Sequence, residues 1–251
     1  MTPDIAFYLL AIPAVVITGL SKGGFASGVG MLGTPLLALA VPPMTAAGIM
    51  LPILLVMDAI GLYSYRRTVN WPILAHMLPG AFVGIALGWA TVSQVNEDVI
   101  RLLIGAIALI FAINQMVADY RGRSAGNQSA ARATLWSTCA GYTSFVLHAG
   151  GPPFQAYVLP LKLDKLEYTG TSVVFFALVN AVKVIPYFLL GQFGTQNLYT
   201  SATLLPLAIA SVWLGIWAVR RLSQQFFYKI TYLAMILVGS KLVYDALVKL
   251  A

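Results

Sequence analysis

Lys22, Asp58, His148 and Lys183 are ionisable side chains set within apolar stretches of the sequence. Two lysines and a histidine can attract an anion, while a lone acid among them can exchange a proton or serve as a counter-charge. Asp58 is therefore the candidate for proton coupling. Hydroxyls and amides that could hold an anion's oxygens stand nearby: Ser21, Ser27 and Thr34 in the first half, Gln155, Thr171 and Ser172 in the second. Asn180 precedes Lys183 by three residues, which places both on one face of a helix. An ionisable group inside a membrane segment is costly and usually functional, so Lys183 and Asp58 carry the most weight. A structural ion pair between them is the plainer reading.

The elements that must position these groups contain two breaks. Stretch 18–35 interrupts apolar sequence with Gly23, Gly24, Gly33 and Pro35, and stretch 143–153 does so with Gly150, Gly151, Pro152 and Pro153. Irregular backbone is tolerated at membrane depth only where protein or a wet cavity satisfies it. Proline suits the first turn of a helix, and Thr34 is placed to cap one. Two half-helix N-termini aimed at a common centre would present free N–H groups and positive dipole ends, which together favour an anion. The plainer alternative is that the glycines only let helices pack closely.

Composition fixes the class. Of 251 residues, 59% are hydrophobic and 9% charged, against about a quarter charged in a soluble domain. The formal charge of +7 is scattered between apolar runs, which fits loop charge on a membrane protein and argues against a nucleic-acid partner. Cys139 stands alone, so no intramolecular disulfide is expected. The first apolar segment has no positive n-region and no cleavage signal, and is expected to stay in the mature protein. No metal cluster, Walker motif or dinucleotide fingerprint occurs; no cofactor and no metal are expected, and an ATP-driven pump is disfavoured.

A spanning helix needs about 20 apolar residues. Segments fall near 4–20, 27–41, 45–65, 72–92, 98–119, 132–147, 152–162, 167–190, 198–219 and 226–249. Segments 27–41 and 152–162 are short and interrupted, so the bundle has about 8–10 spans. Arg66 and Arg67, then Arg121, Arg123 and Arg132, then Lys162 and Lys165, then Arg220 and Arg221 gather on one side if all ten segments cross, as the positive-inside rule expects of the cytoplasmic side. A weak internal repeat divides the chain into 1–120, a polar cytoplasmic linker 121–131, and 132–251. Pro35 matches Pro153 at an offset of 118, Asp58 matches Asn180 at 122, and Pro79 matches Pro206 at 127. At the first offset Lys22 faces Ala140 and His148 faces Gly30. An odd number of crossings per half makes the repeats inverted, a hallmark of secondary transporters. The expected fold is an all-α polytopic membrane bundle.

The glycine-rich break 19–33, Thr34-Pro35 with Pro42, Ala46-Ala47-Gly48, and their repeat at Gly150-Gly151-Pro152-Pro153, Pro160 and Thr169-Gly170-Thr171-Ser172 resemble the sulfite exporter TauE/SafE family of membrane transporters. The resemblance implies a two-repeat carrier of sulfur-containing or organic anions such as sulfite, sulfoacetate or related sulfonates, with proton coupling. Lys22 and the His148 break match no fixed family residue. The expected partners are a small anion and the lipid bilayer, a homodimer is admissible, and the expected location is a bacterial inner membrane. An anion channel would need the same half-helix ends without alternating access. An intramembrane serine protease built on Ser27 and His76 is the weakest alternative, since the serine lacks its Gly-x-Ser-Gly frame.

Overall fold

The computed structural model describes residues 5–25, 29–94, 96–121 and 126–250, and within them all regular secondary structure is helical. Ten α-helices follow in order: α1 (Ile5–Lys22), α2 (Gly33–Leu37), α3 (Pro43–Tyr65), α4 (Trp71–Thr91), α5 (Glu97–Tyr120), α6 (Ala130–Leu147), α7 (Gly151–Val158), α8 (Lys165–Leu189), α9 (Thr195–Arg221) and α10 (Gln224–Leu250). A 3₁₀ turn, Val29–Leu32, precedes α2, and another, Leu159–Leu161, follows α7. Helix starts obey local chemistry. Asn70 caps α4 by accepting from the Ile73 N–H at 3.0 Å, and Asp164 caps α8 by accepting from the Leu166 N–H at 2.8 Å.

Among the described residues seven helices, all but α2, α6 and α7, are long and apolar enough to cross a membrane. Rich in small polar residues, α6 still runs beside α4: a Cβ on Gly80, Gly84 or Gly88 would collide with Ser137, Thr138 or Phe145 in turn. Those pairings also show that α4 and α6 run parallel. By the same reading α1 and α9 run parallel, with Gly19 against Ser211 and Gly23 against Val212 and Ile216. Helices α3 and α8 are antiparallel, as Gly61 meets Val173 and Gly170 meets Thr68. So are α5 and α10, since Asp119 meets Tyr232 at one end and Asp98 meets Lys249 at the other. The fold is therefore two inverted repeats, α1–α5 and α6–α10.

The two short segments lie where the sequence places its doubtful spans. Neither α2, with 5 residues, nor α7, with 8, is a full span, because a helix rises about 1.5 Å per residue. The chain nonetheless returns through the bundle at both places. Gly30 sits against Ser21 and Gly33 against Thr18, so the 3₁₀ turn and α2 fold back along α1. With both segments crossing, Arg66, Arg121, Arg132, Lys162, Lys165 and Arg220 share one end of the bundle. Contacts tie that end together: Lys162 to Asp119 at 3.0 Å, Arg220 to the Ser64 carbonyl at 3.4 Å, and Lys165 to the Leu222 carbonyl.

Equivalent positions repeat the same bonds. The Tyr65 hydroxyl donates to the Gly23 carbonyl at 2.7 Å, and the Tyr187 hydroxyl donates to the Phe145 carbonyl at 3.0 Å, each across 42 residues. The two tyrosines are as far apart as Asp58 and Asn180, 122 residues. This corrects the register of the first helices: Lys22 faces Ser144 rather than Ala140. The repeats also interlock. One core gathers α1, α2 and α3 with α9; the other gathers α6, α7 and α8 with α4, and continues onto α5 and α10.

Candidate functional site

Helix α1 stops because Gly24 adopts φ +98°, and the Gly24 and Phe25 N–H groups return to the Ser21 and Leu20 carbonyls at 2.9 and 3.0 Å. This is a Schellman closure, which wants glycine at the left-handed position. Helix α6 also ends on a left-handed residue, here one poorly suited to it. His148 sits at φ 54°, its N–H bonded to the Ser144 carbonyl at 3.2 Å. A left-handed conformation costs a side-chain-bearing residue roughly 1–3 kcal/mol, and such strain clusters at functional sites. At the start of α2, Thr34 is not the cap: Leu32 occupies that position without a side-chain bond, and Thr34 lies within the first turn with Pro35 behind it. Gly150 caps α7, with Pro152 and Pro153 in its first turn.

The two breaks face a common cavity of about 90 Å³. Ser21, Lys22, Gly24 and Thr34 line it from the first half, and His148, Gly151, Gln155, Ser172 and Asn180 from the second. Neither ring nitrogen of His148 has a hydrogen-bond partner among the described residues, and both are buried. The ring packs edge-on against Tyr187, centroids 5.8 Å apart. A buried polar atom without a partner costs about 1–3 kcal/mol, so these nitrogens are suited to a ligand or water in the cavity.

A charge network closes one wall. The Lys22 ammonium donates to Asp58 Oδ1 at 2.6 Å, and the Asn180 amide donates to Asp58 Oδ2 at 2.6 Å. Asp58 is buried, and Lys22 keeps partial exposure to the cavity, with Phe176 5.5 Å away in cation–π range. Asp58 and Asn180 are equivalent positions of the two repeats, so this bond bridges the pseudo-twofold axis. Lys183, fully buried, donates to the Ser144 carbonyl at 3.0 Å and to its hydroxyl at 3.2 Å. It stands behind the wall, and Ser144 is the residue that reaches the cavity.

The site residues read from sequence thus separate by place. Thr171 does not line the cavity: its hydroxyl accepts from the Asn70 N–H at 2.9 Å and donates to the Glu167 carbonyl at 2.7 Å, fixing α8 to the start of α4. Asp58 and Lys183 act on the cavity through Lys22, Asn180 and Ser144. Among the glycines, Gly23 packs on α9 and Gly33 on Thr18, so close packing and the break are one arrangement. Pro35, Gly150, Pro152 and Pro153 shape the turns. Ser27 lies outside the described residues. His76 is far from this wall in role, exposed and bonded through Nδ1 to the Pro72 carbonyl at 2.8 Å.

The profile of the family described as sulfite exporter TauE/SafE matches residues 11–242, nearly the whole chain. The chain belongs to that family. It is therefore an integral, multi-pass membrane transporter by family and by its apolar helices. No curated protein and no solved structure matches it. In this TauE/SafE chain the cavity also takes residues that sequence reasoning missed: Thr18, Gly30, Ser144, Thr169, Phe154 and Phe176. Ser144 was within reach, since the corrected register sets it opposite Lys22. The phenylalanines carried no signal among so many apolar residues.

Proposed function

We propose that the chain is a secondary transporter, working as an exporter, of a small sulfur-containing anion, with sulfite favoured over sulfoacetate or larger sulfonates. The cavity where the two breaks meet carries this reading: it joins an ammonium, unpartnered imidazole nitrogens and the N-terminus of α7 at the interface of inverted repeats. A volume of about 90 Å³ corresponds to about three waters at the liquid share of ~30 Å³ each, which suits an anion of few heavy atoms. The repeats would rock about this point, exposing it to each side in turn. The arginine-bearing end faces the cytoplasm by the positive-inside rule, and a negative interior favours exit of each anionic charge by about 2.3 kcal/mol per 100 mV.

Asp58 supplies the coupling. Lys22 is held by Asp58 in this state, so an anion that takes Lys22 leaves the carboxylate to accept a proton, and each binding event favours the other; divalent sulfite leaving with one proton still carries net negative charge outward. The test is sulfite flux in proteoliposomes. Saturable counterflow with dependence on an imposed pH gradient is expected, and Asp58→Asn should leave flux that no longer responds to the gradient. An unchanged pH dependence in Asp58→Asn refutes the coupling role, while single-channel currents without counterflow refute the carrier.

A further inference from the structure

A second hollow, about 830 Å³, opens at the arginine-bearing end between α5 and α10. Its polar rim carries Lys162, Gln225, Lys229 and Tyr120; its floor descends through Tyr232 to Met116, Leu233 and Ile236. Gln225, Lys229, Leu233 and Ile236 follow helical spacing on one face of α10, a run of about 16 Å. Polarity therefore grades along the groove, from charged at the end of the bundle to apolar toward its middle. Interfacial layers account for only about 5–8 Å on each side of a bilayer, so the groove starts among headgroups and ends among acyl chains.

Charge in the groove is unequally used. Both oxygens of Asp119 are engaged, by the Lys162 ammonium at 3.0 Å and the Tyr232 hydroxyl at 3.0 Å. Tyr228 and Gln224 are committed to the Leu163 carbonyl at 2.7 and 2.8 Å. Lys229 is exposed and has no hydrogen-bond or ion-pair partner among the described residues. Among the lining residues Lys162 is balanced by Asp119, and Lys229 adds a further positive charge to the rim. Lys162 is set there by an uncommon backbone, φ 50°, which turns the chain from the 3₁₀ turn after α7 into α8.

We propose that this groove binds an anionic phospholipid, its headgroup phosphate on Lys229 and Lys162 and its acyl chain along Met116, Leu233 and Ile236. Basic recesses between spanning helices recognise anionic headgroups in this way, while the tyrosines sit at the interfacial level suited to them. Because the groove shares no lining residue with the cavity between the breaks, such a lipid would act as a wedge between the last helices of the two repeats rather than as cargo.

Native mass spectrometry of the detergent-purified full chain tests it, with phosphatidylglycerol, phosphatidylcholine and inorganic phosphate offered separately. Wild type should retain phosphatidylglycerol over phosphatidylcholine, Lys229→Gln should weaken that retention at least fivefold, and Lys241→Gln, toward the other end of α10, should leave it unchanged. Lys229 is exposed, so its replacement does not threaten folding. Equal retention of both lipids, or no effect of Lys229→Gln, overturns the proposal. So does inorganic phosphate displacing the lipid at similar concentration, or a dimer that Lys229→Glu dissociates in lipid-free detergent.

Discussion

The two breaks do the same architectural job with different chemistry. In the first repeat the left-handed turn that ends α1 is Gly24, the cation beside it is Lys22, and a 3₁₀ turn of 4 residues leads into α2. In the second the left-handed residue is His148, the position facing Lys22 is Ser144, and α6 passes almost directly into α7. The fold thus needs a reversal at each place, but only the first uses the residue a reversal prefers. Where glycine would be the easy choice and histidine stands instead, with its ring nitrogens unpartnered at a cavity, the proposed transport role gives the side chain a reason that the turn does not.

Substitutions can break this comparison. The largest effect is expected at Lys22→Met, which strips the buried Asp58 of its cation; such losses cost about 3–5 kcal/mol, and sulfite flux should fall more than a hundredfold. Adding Asp58→Asn should restore most of the thermal stability and none of the flux, so recovery of both would place Lys22 outside the transport path. Gly24→Ala should destabilise by about 2 kcal/mol or more, since φ is +98° and the new Cβ would stand 2.5 Å from Thr169 Cγ2. At His148 the order reverses. His148→Gly should be more stable than His148→Ala by about 1 kcal/mol, while both lose at least tenfold in flux; equal stability in denaturation curves would deny the strain. Smallest of all, Tyr65→Phe and Tyr187→Phe should each cost about 1 kcal/mol and agree within a few tenths. A clear inequality there would show that the equivalent bonds are not equally engaged.

Much of the bundle was legible because long apolar runs have one meaning in a chain so poor in charge. The inverted repeat was legible too, since Asp58 and Asn180 hold their spacing inside helices of fixed rise. The register of the first helices was not. An alignment keyed on Pro35 and Pro153 absorbs the difference between breaks into the helices before them, and sets Lys22 opposite Ala140 instead of Ser144. The first break is longer by as much as its 3₁₀ turn, 4 residues, and a short turn of that kind leaves no periodic trace. The candidate site was half visible for a related reason. Ionisable residues stand out against apolar sequence, whereas which of them touch the cavity and which stand behind it depends on side-chain reach. Lys22 and Lys183 look alike in sequence; one meets Asp58 at the cavity and the other props Ser144 from behind.

The interlocked cores have a consequence for synthesis. The glycine face of α1 is built to lie against α9, and Gly19 and Ser211 are 192 residues apart in the chain. At about 5–20 residues per second, the ribosome delivers the partner roughly 10–40 s after α1 has entered the membrane. Through that interval the first helix has no native surface for its glycines, and Lys22 waits only for Asp58. Neither half is a finished object when released alone. The glycine face of α1 is buried only once α9 has joined it.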